Sequence, residues 1–114
     1  MDPSATDATS GVWRSETIPL HWGALAALTF GNDVPDRPPV LCLHGWLDNA
    51  ASFVPLVPML GGGRFVAIDL AGHGFSAHRP SGTYYHYFDY LSDVLEALDV
   101  LRFRQVDVLA HSLG

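Results

Sequence analysis

The alternation of apolar and polar positions divides the chain into short segments. In ETIPLHW (16–22) every second residue is apolar, which puts Ile18, Leu20 and Trp22 on one face. ALAALTFG (24–31) follows Gly23, and the two segments together predict a hairpin of outer strands. Pro19 fits an edge strand, because it has no N–H for a second neighbour. NDVPDRPP (32–39) is a turn-rich loop. VLCL (40–43) is apolar throughout, as expected of a strand buried on both faces. HGWLDNAAS leaves it as a loop, and a helix is expected over about 52–60, kept short or irregular by Pro55 and Pro58 and ended by Gly61–Gly63. RFVAIDL (64–70) predicts a second buried strand, followed by the glycine-rich loop AGHGFSAHRPSG.

Residues 84–101 give the clearest helix. Phe88, Leu91, Leu95 and Leu98 recur at helical spacing as the apolar stripe, with Asp89, Asp93, Glu96 and Asp99 on the wet side. YYHYFDY at its start either lines an apolar pocket or joins the core, and the core is the simpler expectation. QVDVLAHS (105–112) is a further apolar run that feeds a serine. Strands alternating with helical stretches predict an α/β fold, a parallel sheet with crossover helices. Residues 1–12 are small and polar and read as a flexible tail, which leaves 13–114 as the domain.

Composition narrows the function classes. An apolar share of 48% supplies a core. The net charge is -6, and all six basic residues are scattered arginines, so no basic stripe exists to hold a phosphate backbone and no nucleic-acid partner is expected. One cysteine, Cys42, excludes an internal disulfide and reads as a small buried apolar residue. The N-terminus has neither a basic start nor an apolar run, no stretch is apolar enough for a membrane span, and the expected location is cytoplasmic. An address at the C-terminus of a longer product would be invisible in this sequence.

The candidate chemistry lies at the C-terminal ends of the three buried strands, the edge at which open α/β sheets bind ligands. AHSLG (110–114) is an A-x-S-x-G form of the nucleophile elbow, in which a sharp strand-to-helix turn exposes a serine between small residues. Ser112 is therefore the candidate nucleophile. Gly114 meets the pattern, and Ala110 departs from the usual glycine by one methyl. The elbow offers the N–H of Leu113 to the oxygen of an attacked carbonyl. HGW (44–46) offers a second, the N–H of Trp46, with Gly45 allowing close approach; each donor can contribute about 3 kcal/mol. His44 reads as a loop-stabilising residue and not as a base. DLAGHGFS (69–76) reads as the pocket wall. Gly72 and Gly74 permit tight turns, and Asp69 and Ser76 can bond loop amides. No G-K-[ST] follows, so it is not a phosphate loop.

With these residues assembled, PPVLCLHGWLDNAASF, DLAGHGFSAH and AHSLG make the chain resemble the α/β-hydrolase fold, and within it the serine hydrolase-like (kraken-like) group. The resemblance covers about residues 13–114. It implies an eight-stranded, mostly parallel sheet and a triad in the order Ser, acid, His. It assigns the nucleophile to Ser112 and the oxyanion donors to Trp46 and Leu113, and it implies that the chain holds the first five strands in the order 1-2-4-3-5. The acid and the histidine of that order would lie beyond residue 114. The expectation is accordingly an incomplete domain: a serine-hydrolase portion that acts on carboxyl esters when whole, takes a small-molecule acyl substrate and needs no cofactor, but is inactive as these 114 residues. The alternative is a non-catalytic product, a pseudoenzyme or interaction piece completed by another chain. A serine at position 112 argues against the aspartate-ester chemistry of dehalogenase and epoxide-hydrolase relatives.

Other residues have plainer readings. His111 points away from Ser112 and is expected to be buried or supporting. His21, His73, His78 and His86 are expected on the surface or in loops. The spacing of His73, His78 and His86 matches no metal-ligand pattern, so no metal is expected. Asp48 and Asn49 read as the start of a helix.

Overall fold

The computed structural model describes residues 12–45, 48–78 and 87–111. The tail at 1–11, the expected helix start at 84–86, Trp46, and Ser112, Leu113 and Gly114 lie outside the described residues.

The first two strands, β1 (Arg14–Leu20) and β2 (Gly23–Phe30), form the expected antiparallel hairpin about a tight turn at His21 and Trp22. Three short strands follow, β3 (Val40–Leu43), β4 (Phe65–Ile68) and β5 (Asp107–Ala110). The strand order is β1-β2-β4-β3-β5, as expected. β2 runs antiparallel to β4, and β3 lies parallel to both β4 and β5. Pro19 sits on the edge strand, where its missing donor costs no ladder bond.

Alternation along the central strands feeds two cores, one on each face. Leu41, Val66 and Ile68 join Ile18, Leu25 and Ala27 on one side, under the helix α1 (Tyr87–Leu101). Cys42, Phe65 and Ala67 face the other side, against Ala50, Phe53 and Val57. β4 is buried along its whole length, which explains why it reads as a continuous apolar run. Burial holds the Cys42 thiol un-ionised, with its pKa pushed up to about 12.

The helix expected over 52–60 is replaced by two single 3₁₀ turns, Ala50–Phe53 and Val57–Met59. Pro55 and Pro58 remove backbone donors at the points where an α-helix would need them. Asn49 caps the first turn by accepting the Ala51 N–H at 2.9 Å, and Asp48 accepts the Asn49 N–H at 2.8 Å, so both residues serve the helix start as expected. The strand expected over 64–70 is confined to Phe65–Ile68.

The helix is present, but its buried face is not the one expected. Tyr90, Asp93 and Ala97 are buried, with Val94, Leu98 and Leu101 packed beside them. Phe88 is 79% exposed, and Leu91 and Leu95 are exposed too, so Phe88 is not core. Two polar contacts explain this rotation. Asp93 accepts the indole N–H of Trp22 at 2.9 Å, and Glu96 accepts the His21 backbone N–H at 2.6 Å and meets its ring at 2.6 Å. These bonds hold α1 against the β1–β2 turn by its acidic positions. Among the described residues, no helix is long and apolar enough to cross a membrane.

Candidate active site

Strand register brings the three candidate loops to one rim. Leu43, the last residue of β3, is level with Ile68 of β4 on one side and with Ala110 of β5 on the other. The loops beginning at His44, Asp69 and His111 therefore leave the sheet side by side.

The loop after β3 is fixed by His44, which is fully buried. Its Nε2 accepts the Leu70 N–H at 2.9 Å, and its Nδ1 lies 2.7 Å from the Gly45 carbonyl oxygen. An Nε2 that accepts carries no proton, so the ring is neutral and Nδ1–H donates to Gly45. Burial pushes the His44 pKa below the usual histidine value, and the neighbouring His73 adds to that; the bond to Gly45 and the carboxylates of Asp69 and Asp48 oppose it. His44 thus bonds the loop after β4 through Nε2 and its own loop through Nδ1.

Asp69 organises the loop after β4. One carboxylate oxygen accepts the Ala50 N–H at 2.7 Å, and the other accepts the Phe75 N–H at 3.0 Å. A single side chain so joins the start of the first 3₁₀ turn to the far arm of the glycine loop. Ser76 donates its hydroxyl to the Asp69 carbonyl oxygen and accepts the Ala26 N–H at 2.7 Å. The backbone continues this seam: Asp69 N–H bonds the Ala26 carbonyl at 2.9 Å, and Ala77 N–H bonds that of Ala24 at 2.9 Å. Gly72 and Gly74 take φ of 75° and 50°, the left-handed region their tight turns require. A Cβ at Gly74 would lie 2.4 Å from the Asp69 carboxyl carbon, so the carboxylate occupies the space that a side chain would need.

His73 lies in a loop, as expected, but is turned inward. It is buried, its Nδ1 lies 3.0 Å from the Ala71 carbonyl, and its ring sits 5.0 Å from that of His44 and 6.1 Å from that of Tyr90. Its position between Gly72 and Gly74 is the sequence signal for a loop that folds its side chain inward. His21 and His78 are exposed as expected, and His86 lies outside the described residues.

The third loop is different. Asp107, Val108 and Ala110 are exposed, with Leu109 half-buried. His111 is exposed rather than buried, and its N–H bonds the Leu43 carbonyl at 3.1 Å, which carries the β3–β5 pairing one residue further. The side chain faces solvent because β3 is the only neighbour of β5 among the described residues.

Two cavities accompany this arrangement, and neither is lined by Ala110 or His111. One, of about 480 Å3, lies beside the rim between the hairpin and the glycine loop, bordered by Glu16, Thr17, Asn49, Asp69 and Phe75. The other, of about 270 Å3, lies at the opposite ends of the strands, among Arg37, Val40, Phe65 and Asp107.

Known proteins share this architecture. The family model for the alpha/beta hydrolase fold matches residues 38–114, more than half of the chain. A serine hydrolase-like protein of Danio rerio is 43% identical over 98 residues, which cover 85% of this chain and 29% of that protein. A serine hydrolase-like protein of Homo sapiens is 38% identical over 111 residues, covering 96% of this chain and 54% of that one. Among solved structures, a hypothetical protein from Pseudomonas aeruginosa PAO1 superposes with a TM-score of 0.80 at 49% identity, over 88% of this chain and 34% of its own. The chain therefore spans between about a third and a half of the length of these relatives, and it belongs to the α/β hydrolase fold family, in the serine hydrolase-like group.

Proposed function

We propose that this chain supplies the nucleophile and the oxyanion donors of a serine hydrolase acting on carboxyl-ester-type substrates. Ser112 attacks the acyl carbon, and the N–H groups of Trp46 and Leu113 receive the charge that develops on the carbonyl oxygen. His44, Gly45, Asp69, Gly72, Gly74 and Ser76 hold the surrounding loops, and Ala110, His111 and Gly114 flank the nucleophile. The observation that carries this reading is the register, with Leu43, Ile68 and Ala110 level at one rim. A serine two residues past Ala110 and an amide three residues past Leu43 start from neighbouring positions.

A serine hydroxyl needs a base at neutral pH. The buried histidines of the rim are committed elsewhere: both ring nitrogens of His44 are engaged, and His73 faces Ala71 and His44. This supports a base and an orienting acid supplied by polypeptide outside these 114 residues, and with it the expectation that the 114 residues alone turn over no ester. The exposed β5 favours the same conclusion, because it leaves Val108 and Ala110 open to further chain.

The test is labelling by a fluorophosphonate together with hydrolysis of a short-chain nitrophenyl ester. A product that includes the following acid and histidine should be labelled at Ser112 and should lose at least about 10³-fold in kcat on Ser112→Ala. The 114-residue chain should show neither signal. Ester turnover that survives Ser112→Ala in the longer product removes the nucleophile assignment. Complete inertness of that product favours the non-catalytic, interacting alternative.

A further inference from the structure

We propose that His44 is a proton-operated latch between the loops after β3 and β4, closed by the neutral ring and opened when the ring takes up a second proton. The geometry fixes the chemistry. Closed, the latch has Leu70 N–H donating to Nε2 at 2.9 Å, while Nδ1–H donates to the Gly45 carbonyl at 2.7 Å. One nitrogen accepts and the other donates, an arrangement open only to the neutral Nδ1–H tautomer. A proton added at Nε2 turns the acceptor into a donor that faces another donor. The ring is fully buried and has no exposed position from which water could relieve that opposition. The cation is accommodated only if the Leu70 bond breaks and the His44–Gly45 segment moves away from Leu70, while Asp69 still holds Ala50.

The charged and titratable groups around the ring pull in both directions: burial and His73 disfavour the cation, while the Gly45 bond, Asp69 and Asp48 favour it, and none of them supplies an acceptor for a proton on Nε2. From the loop after β4, His73 lies 5.0 Å away, and a charge there would repel a charge on His44. Asp69, in the same loop, attracts the cation at longer range, but both its oxygens already accept backbone donors. Asp48, in the loop after β3, accepts the Asn49 N–H. From α1, the Tyr90 ring stands behind His73 at 6.1 Å and brings no negative charge.

In the opened state His44 regains the ordinary histidine pKa near 6.5. The sign then follows. The open state binds the proton more readily, so the latch is fully closed above pH 6.5 and is progressively released as the pH falls below it. The opening equilibrium rises by at most a factor of 1 + 10^(6.5 − pH), about 30-fold at pH 5. If the rim works as proposed above, the released loop is the one that leads to Trp46, and hydrolysis would lose its donor in acid. The latch itself does not depend on that reading.

Nitrogen-edge NMR of the histidine rings, with amide exchange of Leu70, tests the proposal on the protein and on its Ser112→Ala form. The expected result is an Nδ1–H neutral ring for His44 at pH 7.5 and a loss of Leu70 protection at pH 5, of up to about 30-fold, after correction for intrinsic exchange. Ser112→Ala should behave identically, so that failure of the nucleophile assignment leaves the latch standing. In His44→Gln the amide oxygen can accept from Leu70 without titrating, and the loss of protection should vanish; in His73→Gln it should remain. A His44 cation coexisting with a protected Leu70 amide overturns the proposal. So does an Nε2–H neutral ring, or a pH dependence that persists in His44→Gln or vanishes in His73→Gln. The tautomer measurement needs no variant, so it decides the question even if His44→Gln fails to fold.

Discussion

The loops after β3 and β4 and the end of β5 share one rim, yet they are built in opposite ways. The first two are closed by bonds among themselves: His44 to Leu70, Asp69 to Ala50 and Phe75, Ser76 to Asp69 and Ala26. Each buried polar group there finds its partner within about fifty residues of sequence. The end of β5 has a strand ladder on one side and exposed residues otherwise. The loops after β3 and β4 thus tie themselves together, while β5 leaves exposed positions open to a cover. In the solved relative of Pseudomonas aeruginosa, this chain matches only 34% of the length, which leaves ample polypeptide for such a cover.

The sharpest way to break that contrast is to remove the carboxylate at its centre. Asp69→Ala leaves the buried N–H of Ala50 and the part-buried N–H of Phe75 without their acceptor. Bonds to a charged acceptor contribute about 1.5–3 kcal/mol each, so a loss on the order of 3–5 kcal/mol is expected by urea denaturation. Asp107→Ala, on exposed β5, should stay within about 0.5 kcal/mol. Equal losses at the two positions would erase the distinction between the two parts of the rim.

A smaller effect separates two glycines. Both Gly74 and Gly61 have positive φ, 50° and 93°. A Cβ on Gly74 meets the Asp69 carboxylate at 2.4–2.6 Å, whereas a Cβ on Gly61 meets nothing within 4 Å. Gly61→Ala therefore carries backbone strain only, about 1 kcal/mol, and Gly74→Ala adds a clash that must displace Asp69, for about 2–3 kcal/mol in all. Thermal denaturation of the two variants measures the difference. If they are equally stable, Asp69 does not depend on the vacancy left by Gly74.

Much of this was legible in the residues, for physical reasons that can be named. VLCL and FVAI are apolar at every position because strands covered on both faces have no wet side, so their placement followed from composition alone. Pro19 marked the edge, and Asp69, Ser76 and His44 were legible as loop supports because short polar side chains beside glycines bond loop amides. The face of α1 was not legible. Its sequence carries two offset apolar stripes, Tyr90–Val94–Ala97–Leu101 and Phe88–Leu91–Leu95, and periodicity does not choose between them. The choice was made by Trp22 and His21, more than seventy residues away, whose donors meet Asp93 and Glu96. The two 3₁₀ turns were foreshadowed by Pro55 and Pro58, but their exact lengths depend on the Asn49 cap. The loop position of His73 was legible but its burial was not, because that is decided by what stacks on the ring, here His44 and Tyr90.

The contact that sets this helix rotation also gives the smallest expected effect. Glu96 meets His21 through both the ring and the backbone N–H, and the His21 side-chain bond holds the Glu96 carboxyl below the ordinary glutamate range. The sign is that of a depressed acid. The folded state keeps its carboxylate at pH values where the unfolded chain is already taking up protons, so the contribution is complete above the ordinary value of 4.5 and fades as the pH falls through the lower folded value. The pair is exposed at His21, and added salt should weaken it. Glu96→Gln should therefore lower Tm slightly at pH 7 and low salt, with the gap from the parent narrowing in acid and in high salt. A gap that stayed constant from pH 7 to pH 3 would show that the carboxylate charge does not hold α1 against the hairpin. The orientation of the helix would then rest on contacts such as the Trp22–Asp93 bond and on the apolar packing of Tyr90, Val94 and Ala97.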